Sequence, residues 1–502
     1  MKYENIESAL AALKEYHTKQ NAFYHAMGVL HLDAATVAPE GSCEGRGVTL
    51  GVLSSLVYEL VADPENAELV EYLEANSDKL DEVTKRQAAL LKKECQQLSR
   101  IPQNEYVEYS MLINEAQSVW EKAKNDSDFE AFAPCLERIV EFNRKFAGYY
   151  NPDLPAYDAL LNEYEEGLTA ESLDSFFAQL RTAIVPLIAR IKTVPQIENK
   201  TEGKSYPVPK QRELAEYVMD VMNIDKSRCV LSESEHPFTS GFNNRDVRIT
   251  THYYENDVIS SLFSVIHEGG HAIYEMGGED EYNYTPLYGG ASMSMHESQS
   301  RFYENIIGRS EEFISYIYPK MKELFPEQLD GVSAEDLYRA VNKAEPSLIR
   351  TEADELTYCM HVMVRYEIEK KLIDGSLKVK DVPAEWNRLY KEYLGVDVPN
   401  DKEGCLQDCH WSNGSFGYFP SYALGSAYGA QMLSVMQDEI GDVYTEIARG
   451  DLTKVTSWLR DKIHRHGNLY VSTKLFEDVC GKFDARYFTD YLVEKFSKIY
   501  GI

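Results

Sequence analysis

Apolar residues recur at helical spacing along almost the whole chain, in runs separated by short clusters of turn formers and charges. The stretches 79–93, 106–146, 173–191, 355–372 and 422–447 each carry this period, and each predicts a helix. One segment breaks the pattern: 246–254 alternates, is rich in β-branched and aromatic residues, and reads as a strand. Turn formers gather at 63–66, 193–209 and 277–281, which are read as loops. The pattern predicts a mainly α fold with a small β element. The loop at 193–209 is read as separating, within a single domain, a helical lobe of about 1–200 from a catalytic half of about 201–502, with a plain surface excursion as the equal alternative.

The apolar run 257–266 leads straight into His267-Glu268-Gly269-Gly270-His271. Residues four apart stand one above the other on a helix face, so both imidazoles can reach one ion. This is the H-E-x-x-H pattern of zinc hydrolases. Catalytic zinc takes three protein ligands and leaves a position for water, so one more ligand is required. Glu268 points past the ion toward that water, where a general base belongs. The best-placed third ligand is Glu297, at the start of a second predicted helix. Residues 272–278 hold no further histidine, which excludes a metzincin. Two adjacent glycines inside a helix cost about 1 kcal/mol each against alanine. Close approach of substrate or of a packed helix is therefore expected at Gly269 and Gly270. In thermolysin-like architecture a strand such as 246–254 binds the substrate backbone; an ordinary packing hairpin is the other reading.

Charge narrows the partners. With 51 basic and 82 acidic residues the formal charge is −31, which repels phosphate backbones and anionic membranes, so neither nucleic acid nor membrane is an expected partner. The first residues lack a basic stretch followed by a long apolar one, and no run approaches 18 apolar residues, so a soluble, cytoplasmic protein is expected. Eight dispersed cysteines fit a reducing compartment. Cys405, Cys409 and His410 suggest a second metal site only weakly, because no matching distal pair exists. A carboxypeptidase needs a cation for the terminal carboxylate of its substrate. Arg248 and Arg350 are the candidates, although either alone is more often half of a structural ion pair.

Several motifs taken together are more specific. His236-Pro237-Phe238, the D-x-R-x-T of 246–250, HEGGH, HESQ at 296–299, IRTEAD at 349–354 and GCLQDCHW at 404–411 stand in one order. In that order and approximate spacing they resemble the carboxypeptidase Taq family of metallocarboxypeptidases. The segment 31–39 is similar to an N-terminal family segment, with Leu32 where tryptophan is usual. The resemblance implies a large, almost wholly helical peptidase with a long substrate groove beside the zinc helix. It also implies a cytosolic homodimer that removes single C-terminal residues with broad preference, using zinc or cobalt. By motif, His267, His271 and Glu297 are the expected ligands and Glu268 the base, in agreement with the spacing. Arg350 is expected to contact the substrate carboxylate or close the groove end, with Arg248 and His236 on the substrate side.

The oxyanion of the tetrahedral intermediate needs donors beside the metal, and His410, Tyr418 and Tyr422 are the candidates in the aromatic, glycine-rich segment that ends the motif series. Ligand histidines must be neutral, so activity is expected to fall below about pH 6 to 5. The rival readings are a related helical gluzincin acting as an oligopeptidase or dipeptidase, and a catalytically silent peptide-binding scaffold.

Overall fold

A computed structural model describes residues 3–502. Among them the chain forms twenty α-helices and one three-stranded sheet. The predicted helices are present, with ends set by identifiable caps. The stretch 106–146 divides in two: Ser127 turns left-handed at φ 55°, and the Asp128 side chain accepts from Ala131 N to start the next helix. Gln103–Asp126 and Phe129–Tyr150 result. The stretch 422–447 divides likewise at Gly441, giving Pro420–Ile440 and Val443–Ile447. The expected loop at 63–66 is instead a helix start. Asp63 accepts from Glu65 N, and Pro64 takes the first helical position, where its missing N–H leaves no bond unmade. Most of 193–209 is irregular, between helices Ala170–Ile191 and Val208–Val221.

The sheet consists of β1 (Cys229–Glu233), β2 (Thr239–Asn243) and β3 (Asp246–Thr251) in the order β1-β3-β2. β3 pairs parallel with β1 and antiparallel with β2. It is therefore the central strand, and its backbone groups are spent on both neighbours. This corrects the expectation for 246–254: the strand most legible in the sequence is legible because it is interior, and it has no edge to offer a substrate. The edge beside the HEGGH helix belongs to β2.

That helix, Val258–Gly277, is capped by Asp257, whose side chain accepts from Ile259 N and Ser260 N. It packs against Val208–Val221, against Met293–Arg301 and against β3. Two apolar cores are formed. A small one, including Leu13, Leu69, Leu73 and Leu91, lies among the first helices. The large one runs from Leu112 to Tyr500 and contains the buried face of Val258–Gly277. Among the described residues no helix is long and apolar enough to cross a membrane.

Candidate metal centre

His267 and His271 project from one face of Val258–Gly277, and Glu297 comes from the neighbouring helix Met293–Arg301. One donor atom from each lies within 4.8 Å of the others, and among the described residues this is the one such group of His, Cys, Asp and Glu. Cys405, Cys409 and His410 form none; all eight cysteines are free thiols. Glu297 Oε2 lies 3.9 Å from His267 Nε2 and 3.6 Å from His271 Nε2. A tetrahedral set with bonds of about 2.1 Å has its donors about 3.4 Å apart, so the three residues fit a zinc-sized ion. Both Nδ1 atoms are engaged elsewhere, which leaves the Nε2 atoms for the ion.

The glycines explain how the helices come close enough. A Cβ at Gly270 would fall 2.8 Å from Gln299 O and Ser300 Cα, both backbone atoms of the helix that carries Glu297. From the other side, a Cβ at Gly425 of Pro420–Ile440 would fall 2.8 Å from Glu297 Cβ and Cγ. The expected close approach at the HEGGH glycines is thus that of a packed helix. Gly269 faces the side chains of Met222 and Ile224 instead.

Behind the three donors lies a charged layer. Past Arg301 the helix widens into a π-turn, Phe302–Gly308, which carries Glu304 back to His267, with 2.8 Å between Glu304 Oε2 and His267 Nδ1. Arg301 donates to Glu297 Oε1 at 2.7 Å and to Glu304 Oε2 at 3.2 Å, while Arg309 donates to Glu304 Oε1. Burial works against the Glu304 charge, but Arg301, His267 and Arg309 outweigh it and hold the carboxyl well below its ordinary range. Burial also pulls both imidazoles down. At His267 the carboxylates of Glu304, Glu297 and Glu268 outweigh this and leave it raised, whereas His271, beside His296, His267 and Arg301, is left well below its ordinary value. Glu268 is not part of the donor triangle. It accepts from Thr239 Oγ1 of β2 at 2.6 Å, and burial pushes its carboxyl above the ordinary value.

A cavity of about 540 Å³ opens over the triangle, lined by His267, Glu268, His271, Glu297, Thr239, Tyr418 and Tyr422 among others. Tyr418 and Tyr422 thus share the cavity with the donor set. His410 stands one layer back, 3.3 Å from Tyr422 Oη through Nε2 and stacked on Tyr418 at 5.6 Å; burial pulls it down to about 4, so it is neutral. Arg350 is 6% exposed and lies behind Tyr422, its guanidinium 4.9 Å from that ring. It donates twice to Asp408 Oδ1, at 3.0 and 2.8 Å, and once to Tyr358 Oη. Arg365 holds the other Asp408 oxygen. Arg248 is not brought to the cavity: it makes a two-pronged pair with Asp246 of its own strand and lies over Phe242. His236 is exposed, and its neighbours Pro237 and Phe238 line the cavity in its place.

Sequence reasoning missed Thr239, Glu304, Glu275 and Arg301. Glu297, Arg301 and Glu304 are spaced i, i+4, i+7, a signal that one helix face carries an arginine between two carboxylates. Thr239 and Glu275 carried no comparable signal.

A mainly helical chain with two histidines one turn apart, a glutamate on the adjoining helix and a second glutamate beside an open cavity has the donor set of a Glu-type metallopeptidase. The comparisons make this specific. The model of the family described as Carboxypeptidase Taq (M32) metallopeptidase matches residues 12–496. Carboxypeptidase 1 of Bacillus subtilis (strain 168) is 40% identical over 501 residues, covering 97% of this chain and 99% of that protein. Thermostable carboxypeptidase 1 of Pyrococcus furiosus is 36% identical, covering 95% and 96%. The crystal structure of the M32 carboxypeptidase from Deinococcus radiodurans R1 matches with a TM-score of 0.96 at 33% identity, over 99% of this chain and 100% of that one. The chain belongs to the carboxypeptidase Taq family and is a metallocarboxypeptidase; the family implies a divalent metal.

Proposed function

We propose that this enzyme is zinc-dependent, with cobalt able to substitute, and that it releases single C-terminal residues from peptides with broad preference. The observation that carries this reading is the convergence of His267, His271 and Glu297 beneath a cavity that also receives Glu268 and two phenols. His267 and His271 through Nε2, and Glu297 through its carboxylate, would hold the ion. A bound divalent ion supplies a Lewis acid that polarises the scissile carbonyl and acidifies water.

The chain's own residues do the rest. The edge of β2 stands beside the cavity, and we assign to it the substrate-backbone role expected of 246–254. Just before β2, Phe238 O accepts from Thr250 N, so by alternation Thr239 and Gly241 turn their backbone groups to the free edge. Glu268, oriented by Thr239, takes a proton from the attacking water and returns it to the leaving amine. Its raised carboxyl makes it the stronger base for the first of these transfers. Tyr418 and Tyr422 are proposed to donate to the oxyanion, with His410 orienting Tyr422. For the substrate carboxylate we propose Arg350. Arg350 and Arg365 share the single charge of Asp408, so the cluster behind Tyr422 keeps a positive excess, and two of the Arg350 N–H groups are uncommitted. Arg248 and His236 are assigned a groove-shaping role rather than direct contact.

A cytoplasmic homodimer is part of the same proposal, supported by the cysteine usage and by the family. So is a single catalytic domain; the break between the two apolar cores, from Leu91 to Leu112, favours a lobe boundary near residue 100 over one near 200. The test is mass spectrometry of a peptide with a blocked N-terminus, incubated with zinc-loaded enzyme beside a chelated sample. Stepwise loss of single C-terminal residues, abolished by the chelator, is expected; dipeptides or internal fragments would overturn the proposal.

A further inference from the structure

The two histidines of the metal-binding helix are braced differently. His267 Nδ1 meets a carboxylate directly, at Glu304. His271 Nδ1 instead lies 2.6 Å from another ring nitrogen, His296 Nδ1, and His296 Nε2 lies 2.9 Å from Glu275 Oε1. Two ring nitrogens at that distance share one proton, and the question is which ring owns it.

The carboxylate decides. Glu275 can only accept, so His296 carries its proton on Nε2, and a neutral His296 then presents a lone pair at Nδ1. The proton between the rings belongs to His271 Nδ1. This leaves the lone pair of His271 on Nε2, the atom 3.6 Å from Glu297 Oε2. With both rings neutral every contact in the row pairs a donor with an acceptor. The opposite order would place a proton on His271 Nε2, where it would bar a metal ion, and would leave two acceptors facing at Glu275.

The row is also built into the framework. Glu275 lies one turn beyond His271 on the same helix, and His296 adjoins Glu297, so the row ties together the two helices that supply the donor set. A Cβ at Gly241 of β2 would fall 2.5 Å from Glu275 Oε2, so that glycine leaves the space Glu275 occupies. Tyr274 closes the other side, its ring 5.0 Å from that of His296.

We propose that His296 and Glu275 are positioning residues that lock His271 in its Nδ1–H tautomer, and that the second imidazole serves where a carboxylate serves for His267. This rests on His267, His271 and Glu297 being the ligands. Outer partners of this kind change metal affinity by about 10- to 100-fold. The measurement is the zinc dissociation constant by chelator competition, for wild type, His271→Ala, His296→Leu, His296→Asn and Glu275→Met, with circular dichroism of each metal-free protein as the folding control.

His296→Leu is expected to bind zinc 10- to 100-fold more weakly, whereas His296→Asn, whose side-chain oxygen can accept near the Nδ1 position, recovers most of the loss. Glu275→Met is expected to fall with His296→Leu. Should His296→Leu fail to fold, Glu275→Met and His296→Asn carry the decision. Wild-type affinity in Glu275→Met or His296→Leu would overturn the tautomer lock, and so would an equal loss in His296→Leu and His296→Asn, which would mark packing alone. Wild-type affinity in His271→Ala would instead remove the ligand assignment on which the proposal stands.

Discussion

The metal centre and the arginine cluster behind Tyr422 both keep charge out of water, with opposite imbalances. Around His267 and His271, the carboxylates of Glu268, Glu275, Glu297 and Glu304 outnumber the guanidinium groups in contact with them, Arg301 and Arg309. Behind Tyr422, two guanidinium groups share the carboxylate of Asp408. Buried charges are stable when paired, so an imbalance held in place by packing marks the sign of what the site receives. One end suits a cation and the other an anion, and a peptide with a free C-terminus placed between them meets both. The two ends differ in construction as well. The donor triangle is set by two helices in backbone contact, while the arginine end joins the short stretch that holds Arg350, Tyr358 and Arg365 to Asp408 on a separate, irregular segment.

The largest effect tests the metal end. Glu268→Gln is expected to lower kcat by about 10²- to 10⁴-fold with zinc affinity unmoved, as the proposed role in proton transfer rather than ion binding requires; a parallel loss of zinc in equilibrium dialysis would erase that distinction. At the other end, Arg350→Gln is expected to raise KM for free-acid peptides by about 10- to 100-fold, the size of a charged hydrogen bond, with a smaller change in kcat. Steady-state kinetics with free-acid and C-terminally amidated peptides check this, since an equal effect on both would break the assignment of the anionic site. Between the ends, Gly270→Ala drives a methyl into the backbone of Gln299 and Ser300 and is expected to cost about 1–3 kcal/mol with weakened zinc binding. Gly269→Ala meets the flexible end of Met222 and is expected to cost less in the same denaturant titration.

The smallest effect concerns how the arginine end is anchored. Glu369 is fully buried and accepts from Tyr157 Oη, Trp411 Nε1 and Gly417 N, which fastens the segment bearing His410 and Tyr418. Burial pushes its carboxyl up to about 7 from an ordinary 4.5. The folded protein therefore holds a proton that the unfolded chain releases, so this contribution to stability is full below about pH 4.5 and is lost as the pH rises through 7. Glu369→Gln is expected to flatten the fall of Tm between those values, and an unchanged slope would show that the anchor does not titrate there.

The contrast between the ends also measures what the sequence reveals. The donor triangle was legible because helix periodicity alone places residues four apart on one face, and because Glu297 opens a recognisable second helix. β1 and β2 were not legible, since Cys229–Glu233 and Thr239–Asn243 lack the alternation that burial imposes on β3. Spacing puts Glu304 on the face of Glu297 and Arg301, but its reach back to His267 was hidden by the π-turn, whose widened winding no local propensity announces. The depth of Arg350 depends on Tyr422 and Asp408, contacts across a long stretch of chain that motif order does not encode.

The helices bearing Gly270 and Gly425 grip Glu297 from two sides through contacts at or beside the main chain. Main chain is the part of a protein that substitution alters least. Substitutions in the side chains of the cavity wall, as at Met293, can therefore reshape the space above Glu297 without moving the helices that hold it. Two residues with no side chain thus act as the fixed partners of an otherwise revisable pocket.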